Sequence, residues 1–185
     1  MKKTIGIAAA LLLLLAGYGF GKGIAEPDGF EMDGTVLVKY RGNAANVVIP
    51  EGVTVIGGTA FYFCKNITNV TIPSSVTSIG NGAFFSCSSL TSIIIPTSVN
   101  YIGFSAFGRC SSLTSVTIPS SVTSIGDGAF EQCTSLTSVT ILSSVITIGD
   151  IVLFGCDNLE TVTVSRKAEI REDAFPAGVQ IIYSD

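Results

Sequence analysis

The chain has no histidine, and charged residues make up only 13% of its 185 residues. The lack of histidine excludes the usual general base, the Ser-His and Cys-His nucleophile pairs and every histidine-containing metal site. The sequence also lacks a phosphate-binding glycine loop followed by lysine. Glu169, Glu172 and Asp173 cluster, but they stand among Arg and Lys, as on a solvated surface. We therefore expect a protein that is not an enzyme and that holds no cofactor and no metal ion.

The scarcity of charge also limits the classes of partner. The formal net charge is −4, and a weakly acidic surface holds neither nucleic acid nor an anionic membrane. Few charges combined with many β-branched residues argue against disorder. The composition therefore predicts a folded chain that binds no nucleic acid.

The N-terminus has the composition of a targeting segment. Lys2 and Lys3 precede an apolar run at residues 5–16, and small residues dominate residues 17–25. This order is typical of a secretory signal, with cleavage expected before Glu26. The uncharged stretch is also long enough for an uncleaved anchor, which stays open as the alternative. We expect an exported protein at the cell surface, secreted or periplasmic, with no membrane contact beyond such an anchor.

The rest of the chain repeats a unit of 23 residues, best seen at residues 118–140, IPSSVTSIGDGAFEQCTSLTSVT. A fixed period of this length indicates a solenoid. In each unit we predict two short strands separated by a proline, as at Pro119, and then a short helical or 3₁₀ turn after a glycine. That glycine recurs every 23 residues and indicates either a backbone angle or a close approach that only glycine tolerates. The repeated Leu, Val, Ile and Phe positions predict the core.

Both ends of the array depart from the repeat. Asp33-Gly34 between two β-rich runs predicts a hairpin of residues 30–32 and 35–40 with a type I′ turn. We expect this hairpin to cover the first coil, because terminal coils have no neighbour. Residues 170–175 echo the repeat once more, and residues 179–183 predict a closing strand. The predicted domains are a signal segment (1–25), a hairpin cap (26–43), the repeats (44–164) and a degenerate last repeat with a C-terminal cap (165–185).

The unit at residues 118–140 resembles the BspA-type leucine-rich repeat of bacterial surface proteins, and the resemblance covers residues 36–183. It implies a right-handed, curved leucine-rich-repeat solenoid with a parallel β-sheet on its concave side and turns or 3₁₀ segments elsewhere. It also implies a secreted or surface-attached protein that binds host proteins or other cells.

The cysteines occupy one repeat position and form a single column, Cys64, Cys87, Cys110, Cys133 and Cys156. Thiols stacked at the strand spacing of ~4.8 Å point in parallel, whereas a disulfide needs side chains turned toward each other and zinc needs ligands that surround it. We expect a structural ladder of buried, reduced thiols.

Two groups of residues are candidate partner-binding positions. The first is an outward column on the first-strand face, formed by Thr71, Ile94, Thr117, Thr140 and Thr163. The β-propensity of threonine on a solvated sheet accounts for most of this column. A hydroxyl array that binds an ordered surface such as ice is a weak alternative.

The second group consists of aromatic residues that stand where other units carry small or polar residues. They fall in the first three coils, so we expect them to be neighbours on the convex side and its edge. A contiguous exposed aromatic patch marks an interface, although packing under the hairpin or between turns would also explain them. The positions are Tyr62, Phe63, Phe85, Tyr101 and Phe104.

From the sequence we predict a non-enzymatic protein–protein interaction module, adhesin-like, at the bacterial cell surface or secreted. Its partner would be a host protein or another cell-surface protein. A periplasmic scaffold that self-associates through the aromatic patch is the alternative.

Overall fold

We describe a computed structural model in which residues 29–142, 144–171 and 173–184 are placed. The predicted signal segment, residues 1–25, lies outside these residues, as does Glu172. The described part consists of strands and turns; it contains no helix, and so none with the length and apolar character needed to cross a bilayer.

The chain winds into about six coils with two short strands each. Paired residues of neighbouring coils are 23 positions apart within the repeats, but 22 apart at Thr147 and Glu169 and 19 apart at Thr161 and Gln180. The strands of the hairpin are β1 (Phe30–Asp33) and β2 (Val36–Tyr40). The first strands of successive coils are β3 (Asn46–Val48), β5 (Asn69–Thr71), β7 (Ser92–Ile93), β9 (Ser115–Ile118), β11 (Ser138–Ile141), β13 (Thr161–Ser165) and β15 (Gln180–Ser184). The second strands are β4 (Val55–Ile56), β6 (Ser78–Ile79), β8 (Tyr101–Ile102), β10 (Ser124–Ile125), β12 (Thr147–Ile148) and β14 (Glu169–Ile170).

Equivalent strands of successive coils pair in parallel. The second strands and the hairpin form one eight-stranded sheet, whereas the first strands form a sheet of three, β3-β5-β7, and a sheet of four, β9-β11-β13-β15. Within the repeats the pairing keeps the period of the sequence, as when Ser124 pairs with Tyr101 on one side and Thr147 on the other. Each repeat column of the sequence is therefore a straight row in space.

The hairpin forms the N-terminal end of the eight-stranded sheet. Strand β2 pairs antiparallel with β1 and parallel with β4, so the hairpin covers the first coil, as predicted. The turn differs from the prediction by one residue. Its central residues are Gly34 and Thr35, and of these only Gly34 has a positive φ, +61°. Glycine with positive φ at the first central position fits a type II′ turn rather than the predicted type I′.

The core is built from the predicted apolar columns. The rings of Phe61, Phe84, Phe107 and Phe130 stack face to face with centroids 4.8–5.1 Å apart. Tyr40 of the hairpin extends this row, 5.2 Å from Phe61. Each such aromatic pair contributes about 0.5–1.5 kcal/mol beyond the burial of area. Around the row lie fully or almost fully buried columns, which include Ile67, Leu90, Leu113, Leu136 and Leu159; Val76, Val99, Val122 and Val145; and Ile79, Ile102, Ile125 and Ile148.

The repeated glycine serves close approach of backbone to backbone. A Cβ at Gly126 would lie 2.6 Å from the nitrogen of Phe104 and 2.7 Å from the carbonyl carbon of Gly103. No Cβ fits at these distances, so only glycine is tolerated here. Of the two predicted reasons for this column, the close approach is the one that holds, because none of its glycines has a positive φ.

Positive φ occurs instead at two other repeat positions, four residues apart, with values from 46° to 71°. These positions are Thr59, Gly82, Ser105, Gly128 and Ile151, and Phe63, Ser86, Arg109, Gln132 and Gly155. A left-handed residue interrupts any helical segment. The segment after the glycine is therefore a series of turns, and no 3₁₀ helix occurs among the described residues.

The last coils follow the predicted decay of the repeat. The predicted closing strand forms as β15 and pairs with β13, and the echo at residues 170–175 supplies β14. Ser121 donates a hydrogen bond to the carbonyl of Val99 at 2.6 Å, but its equivalent Ser144 is buried without a partner in the described part of the chain. Arg171 forms an ion pair with Asp150 across the last two coils at 3.1 Å.

Candidate interaction surface

The cysteine column is part of the core. Four thiols each donate a hydrogen bond to the carbonyl of a phenylalanine in the preceding coil, at 3.1–3.3 Å between sulfur and oxygen. All five are free, and Cys64 alone is half-exposed. The described residues contain no group of side chains that could hold a metal ion. Four of the five thiols therefore lie in the core, and the reduced state of the column stays a prediction.

Burial also makes these thiols poor nucleophiles. Burial raises the pKa of Cys87 far above its usual value and that of Cys110 to about 12. A hydrogen bond with the Cys156 thiol, together with burial, raises the pKa of Cys133. The pKa of Cys64 is also raised by burial, an effect that nearby Lys39 opposes. The hydrogen bond with Cys133 lowers the pKa of Cys156. Because the thiolate is the reactive form, the raised pKa values make the other four thiols poor nucleophiles near neutral pH.

The first-strand face uses many of its hydroxyls to bind its own backbone. The hydroxyls of Thr68, Thr91, Thr114 and Thr137 each donate to a carbonyl of the preceding coil at 3.1–3.5 Å. Asn69 and Ser92 continue a side-chain ladder along the same face. Hydroxyls that already donate to the backbone cannot also donate to a ligand. This weighs against the alternative of a hydroxyl array that binds an ordered surface such as ice.

The column of Thr71, Ile94, Thr117, Thr140 and Thr163 lies on this face, as predicted from the alternation. Ile94 is 82% exposed, the highest value among the exposed large apolar residues. It follows β7 directly, at the point where the first-strand sheet is interrupted between β7 and β9. The structure brings no second apolar side chain of the column next to it, because its neighbours are Thr71 and Thr117.

Three of the five predicted aromatic residues meet in the turns of the first two coils. Tyr62 lies 4.6 Å from Phe63 and 5.5 Å from Phe85, measured between ring centroids, and Phe63 lies 6.2 Å from Phe85. Tyr62 and Phe63 are 43% and 46% exposed. Phe85 reaches over the next coil, since a Cβ at Gly108 would lie 2.9 Å from its ring. The small residue at position 108 thus makes room for the ring.

Three cationic side chains surround these rings. Lys39 Nζ lies 5.9 Å from the centroid of Tyr62 and Lys65 Nζ 5.5 Å from that of Phe63. The guanidinium of Arg109 lies 5.5 Å from the centroid of Phe85. Cation–π contacts at exposed sites contribute about 0.5–1 kcal/mol each. We call these six residues, Tyr62, Phe63, Phe85, Lys39, Lys65 and Arg109, the aromatic–cation cluster. Comparison of the repeats in the sequence identified the rings but not the cations, because Lys39 comes from the hairpin, Lys65 from the first coil and Arg109 from the third.

The other two predicted aromatics lie elsewhere. Tyr101 is on β8 in the eight-stranded sheet, and Phe104 follows it in the turn; they are 38% and 55% exposed. The backbone nitrogen of Phe104 donates to the side chain of Asn81 at 2.9 Å. Neither ring contacts a ring of the cluster among the described residues. The five aromatics therefore form a cluster of three and a separate pair.

A groove runs beside the cluster, across five coils. Its volume is about 460 Å³. One edge is the left-handed column of Phe63, Ser86, Arg109, Gln132 and Gly155, and the other is the column two residues further on. A non-glycine residue in the left-handed conformation costs about 1–2 kcal/mol of conformational free energy. The left-handed edge has four such residues in the first four coils, and Gly155 takes the position only in the fifth. The groove was not predicted from the sequence. The one available signal was Gly155, which occupies a repeat position where the other coils carry larger side chains. The second edge consists of Lys65, Ser88, Ser111, Thr134 and Asp157.

Comparison with solved structures places this architecture among bacterial leucine-rich-repeat proteins. A leucine-rich cell surface protein from Faecalibacterium prausnitzii is 33% identical, with a TM-score of 0.68 over 73% of this chain. A leucine-rich repeat protein from T. pallidum is 30% identical, with a TM-score of 0.59 over 70% of this chain and 76% of its own length. A pneumococcal vaccine antigen has a TM-score of 0.74 over 84% of this chain and 40% of its own length, but at 20% identity it shows the fold alone.

The chain spans 37% of the length of the F. prausnitzii protein. No curated protein matches the chain in sequence. The family model described as the BspA type leucine rich repeat region matches residues 39–160 with six copies. This match covers well over half of the chain and follows the same coils that the strands define. The chain belongs to the BspA-type leucine-rich repeat family.

Proposed function

We propose that the protein is a non-enzymatic, adhesin-like module that binds another protein at the bacterial cell surface or after secretion, through the aromatic–cation cluster. The observation that carries this proposal is the cluster itself: three mutually contacting rings, two exposed and one half-buried, with a cation beside each. The family match supports an interaction module, and a cell-surface relative supports the location.

The cluster has the composition of an interface hot spot. Aromatic residues and arginine are enriched among the few residues that dominate binding, where truncation costs at least ~2 kcal/mol. The rings contact one another before any partner arrives, so little side-chain entropy is lost on binding. The cations add attraction for acidic surfaces and accelerate encounter with them. Serine and threonine recur on the rest of the described surface, and their small side chains give weaker contacts.

A panel of purified extracellular proteins, tested by biolayer interferometry against the full chain, would test the proposal. We expect at least one protein of the panel to bind. Combining Tyr62→Ser, Phe63→Ser and Phe85→Ser should weaken that binding at least ten-fold, with the melting temperature little changed. The matched control combines Tyr101→Ser and Phe104→Ser, which remove two exposed rings outside the cluster. Equal losses in the two variants would contradict a role specific to the cluster.

Location is tested separately, by treating intact cells with protease and following the protein by immunoblot. Loss of the protein from intact cells is expected for a surface module. Survival until the envelope is opened would place it in the periplasm and overturn the adhesin-like role.

A second candidate is a self-associating scaffold, and one observation favours it. Among the described residues, strand β15 ends the first-strand sheet and pairs only with β13. Ile181, Ile182 and Tyr183 on it are 39–47% exposed. An apolar edge strand of this kind can pair with another chain. Size-exclusion chromatography with light scattering separates the two candidates: a monomer at tens of micromolar supports the binding module, whereas concentration-dependent assembly supports the scaffold.

A further inference from the structure

We propose that the groove beside the aromatic–cation cluster binds an extended peptide segment of the partner, with an acidic side chain at the cluster end and a basic side chain about six residues away. This inference rests on the proposed function and names the chemistry of the partner at that site. The groove, its charges and its backbone conformation each support one part of it.

The length of the groove sets the length of the peptide. Lys65 and Asp157 stand at its two ends, on the same column and four coils apart. At about 4.8 Å per coil the two positions are ~19 Å apart. An extended chain advances about 3.3 Å per residue, so the same span takes ~6 residues. Because side chains alternate in an extended chain, residues separated by six point to the same side.

The charges of the groove set the sequence of the peptide. Lys65 gives one end a positive charge, Arg109 adds a second positive charge at the midpoint with its guanidinium over Phe85, and Asp157 gives the other end a negative charge. All three are exposed. The ion pairs between described side chains are Arg41 with Glu31 and Arg171 with Asp150, so the groove residues are not neutralised by other described residues. A uniformly anionic ligand would be repelled by Asp157. A segment with opposite charges at its two ends complements the whole groove.

Apart from Arg109, the middle of the groove is lined by polar, uncharged side chains. Ser86, Ser88, Ser111, Gln132 and Thr134 line it between the charged ends. Hydroxyl and amide groups of this kind pair with the N–H and C=O groups of an extended backbone, which any peptide presents at a regular spacing. The middle therefore selects for an extended backbone, whereas the ends select for charge.

The backbone at the groove edge supports a function for its side chains. Phe63, Ser86, Arg109 and Gln132 all have φ between 55° and 59°, in the left-handed region where glycine is favoured. Gly155 fills the same position in the fifth coil. Strained backbone that persists where an unstrained residue is available points to a functional side chain. Here these side chains line one edge of the groove.

The test uses synthetic peptides, acetylated and amidated, titrated into the ¹⁵N-labelled protein and followed by amide chemical shifts. The probe has Asp at its first position, Lys at its seventh and alternating Ser and Gly between them. The comparison peptides have Asp at both ends, Lys at both ends, or Asp and Lys only three residues apart. We expect the probe to bind at least three-fold more tightly than each comparison peptide, with the largest shifts at the groove residues.

Two variants of the protein sharpen the test. Asp157→Lys should reverse the preference, so that the peptide with Asp at both ends binds at least three-fold more tightly than the probe. Arg109→Gly should weaken probe binding at least three-fold while the melting temperature stays equal or rises, because glycine relieves the left-handed backbone. A purely structural role of Arg109 would lower the melting temperature instead. Lys167→Glu changes an exposed charge away from the groove and should leave probe binding unchanged.

Equal affinities for all four peptides, shifts centred on the first-strand face, or an unchanged preference in Asp157→Lys would each overturn the groove proposal. These failures are distinct from failure of the proposed function. Loss of panel binding in the triple serine variant, combined with no preference among the peptides, would leave the cluster as the interface and remove the groove from it.

Discussion

The buried thiols show how a residue that suggests chemistry becomes a packing element. Cys87, Cys110, Cys133 and Cys156 each donate to a carbonyl of the preceding coil. A small thiol fits inside the turn beside the stacked phenylalanine rings, and its weak donor satisfies a buried carbonyl. Cys64 differs because the hairpin replaces a full preceding coil, so its thiol stays half-exposed.

Alkylation of the native protein should therefore label one thiol per chain, that of Cys64. The other four are enclosed, and their reaction requires opening of the solenoid. Mass spectrometry after treatment with a maleimide should show a single adduct in buffer and five adducts in denaturant. Cys64→Ala is the matched control and should show none in buffer. Rapid addition of two or more adducts to the native wild-type chain would contradict the buried ladder.

The raised thiol pKa values predict alkaline destabilisation. The unfolded chain releases thiol protons above pH ~8.5, whereas Cys110 retains its proton to about pH 12. The contribution of each such thiol to the free energy of unfolding is therefore complete below that pH. It falls by up to ~1.4 kcal/mol per pH unit as the pH rises toward the folded pKa.

Denaturant titrations between pH 8 and pH 11 measure this slope. In Cys110→Ala the free energy of unfolding should decrease less steeply with pH, because the contribution of one buried thiol is missing. Cys64→Ala should change this slope less because its thiol is only half-buried. Identical slopes in the wild type and Cys110→Ala would show that the thiol does not contribute.

At the scale of the element, the coil is too small to be stable alone. Its strands are two to five residues long, and their hydrogen-bond partners lie in the neighbouring coils. The coils are held close together by the glycine that follows each second strand, where backbone meets backbone without an intervening side chain. The turns after it depend on two left-handed residues per coil, and this conformation replaces the 3₁₀ segment that the sequence suggested.

Gly126→Ala should consequently disturb the spacing between the third and fourth coils that it joins. The added Cβ would lie 2.6 Å from the nitrogen of Phe104, and backbone atoms cannot move away as a side chain can. We expect a loss of about 1–3 kcal/mol in the free energy of unfolding, typical of overpacking. Gly58→Ala is the control, since its closest backbone contact would be 3.3 Å. Equal thermal stability of the two variants would contradict the close-approach explanation.

At the scale of the whole molecule, the protein is a one-dimensional stack. Each coil contacts only its neighbours, so its stability is the sum of weak coils and strong interfaces between them. The hairpin supplies the N-terminal interface through β2 and Tyr40. At the other end β15 presents an open edge.

Deletion of residues 111–133 should leave a folded, shorter solenoid. The deletion removes one full period, so Thr134 follows Cys110 in the register that it normally keeps with Cys133. Circular dichroism should show the same spectral shape and a cooperative melt at lower temperature, because one coil interface is lost. Deletion of residues 111–122, about half a period, places apolar columns on the surface and should abolish the cooperative melt. A cooperative melt after the half-period deletion would contradict the strict register.

The sequence predicted the features that repeat. The period, the two strands per coil and the buried columns all follow from identical residues at identical spacing, such as Leu136 and Cys133. The reduced state of the thiols stays a prediction. The sequence was a poorer guide to features that depend on backbone conformation, such as turns and left-handed residues. The turn at Gly34 is shifted by one residue, and the left-handed positions of Phe63 and Arg109 carry no composition signal, because φ depends on the neighbouring coil as well as on the residue.

The repeat of the sequence by itself determined the solenoid, because any other fold would place some columns of Ile, Leu and Val in water. Only the tertiary structure decided which of the unusual residues work together. Tyr62, Phe63 and Phe85 meet because the turns stack at a spacing that lets a ring reach over Gly108, whereas Tyr101 and Phe104 fall on a neighbouring side. Lys65, Arg109 and Asp157 line one groove with Phe63 because parallel stacking places residues 46 or 92 positions apart along one of two adjacent rows.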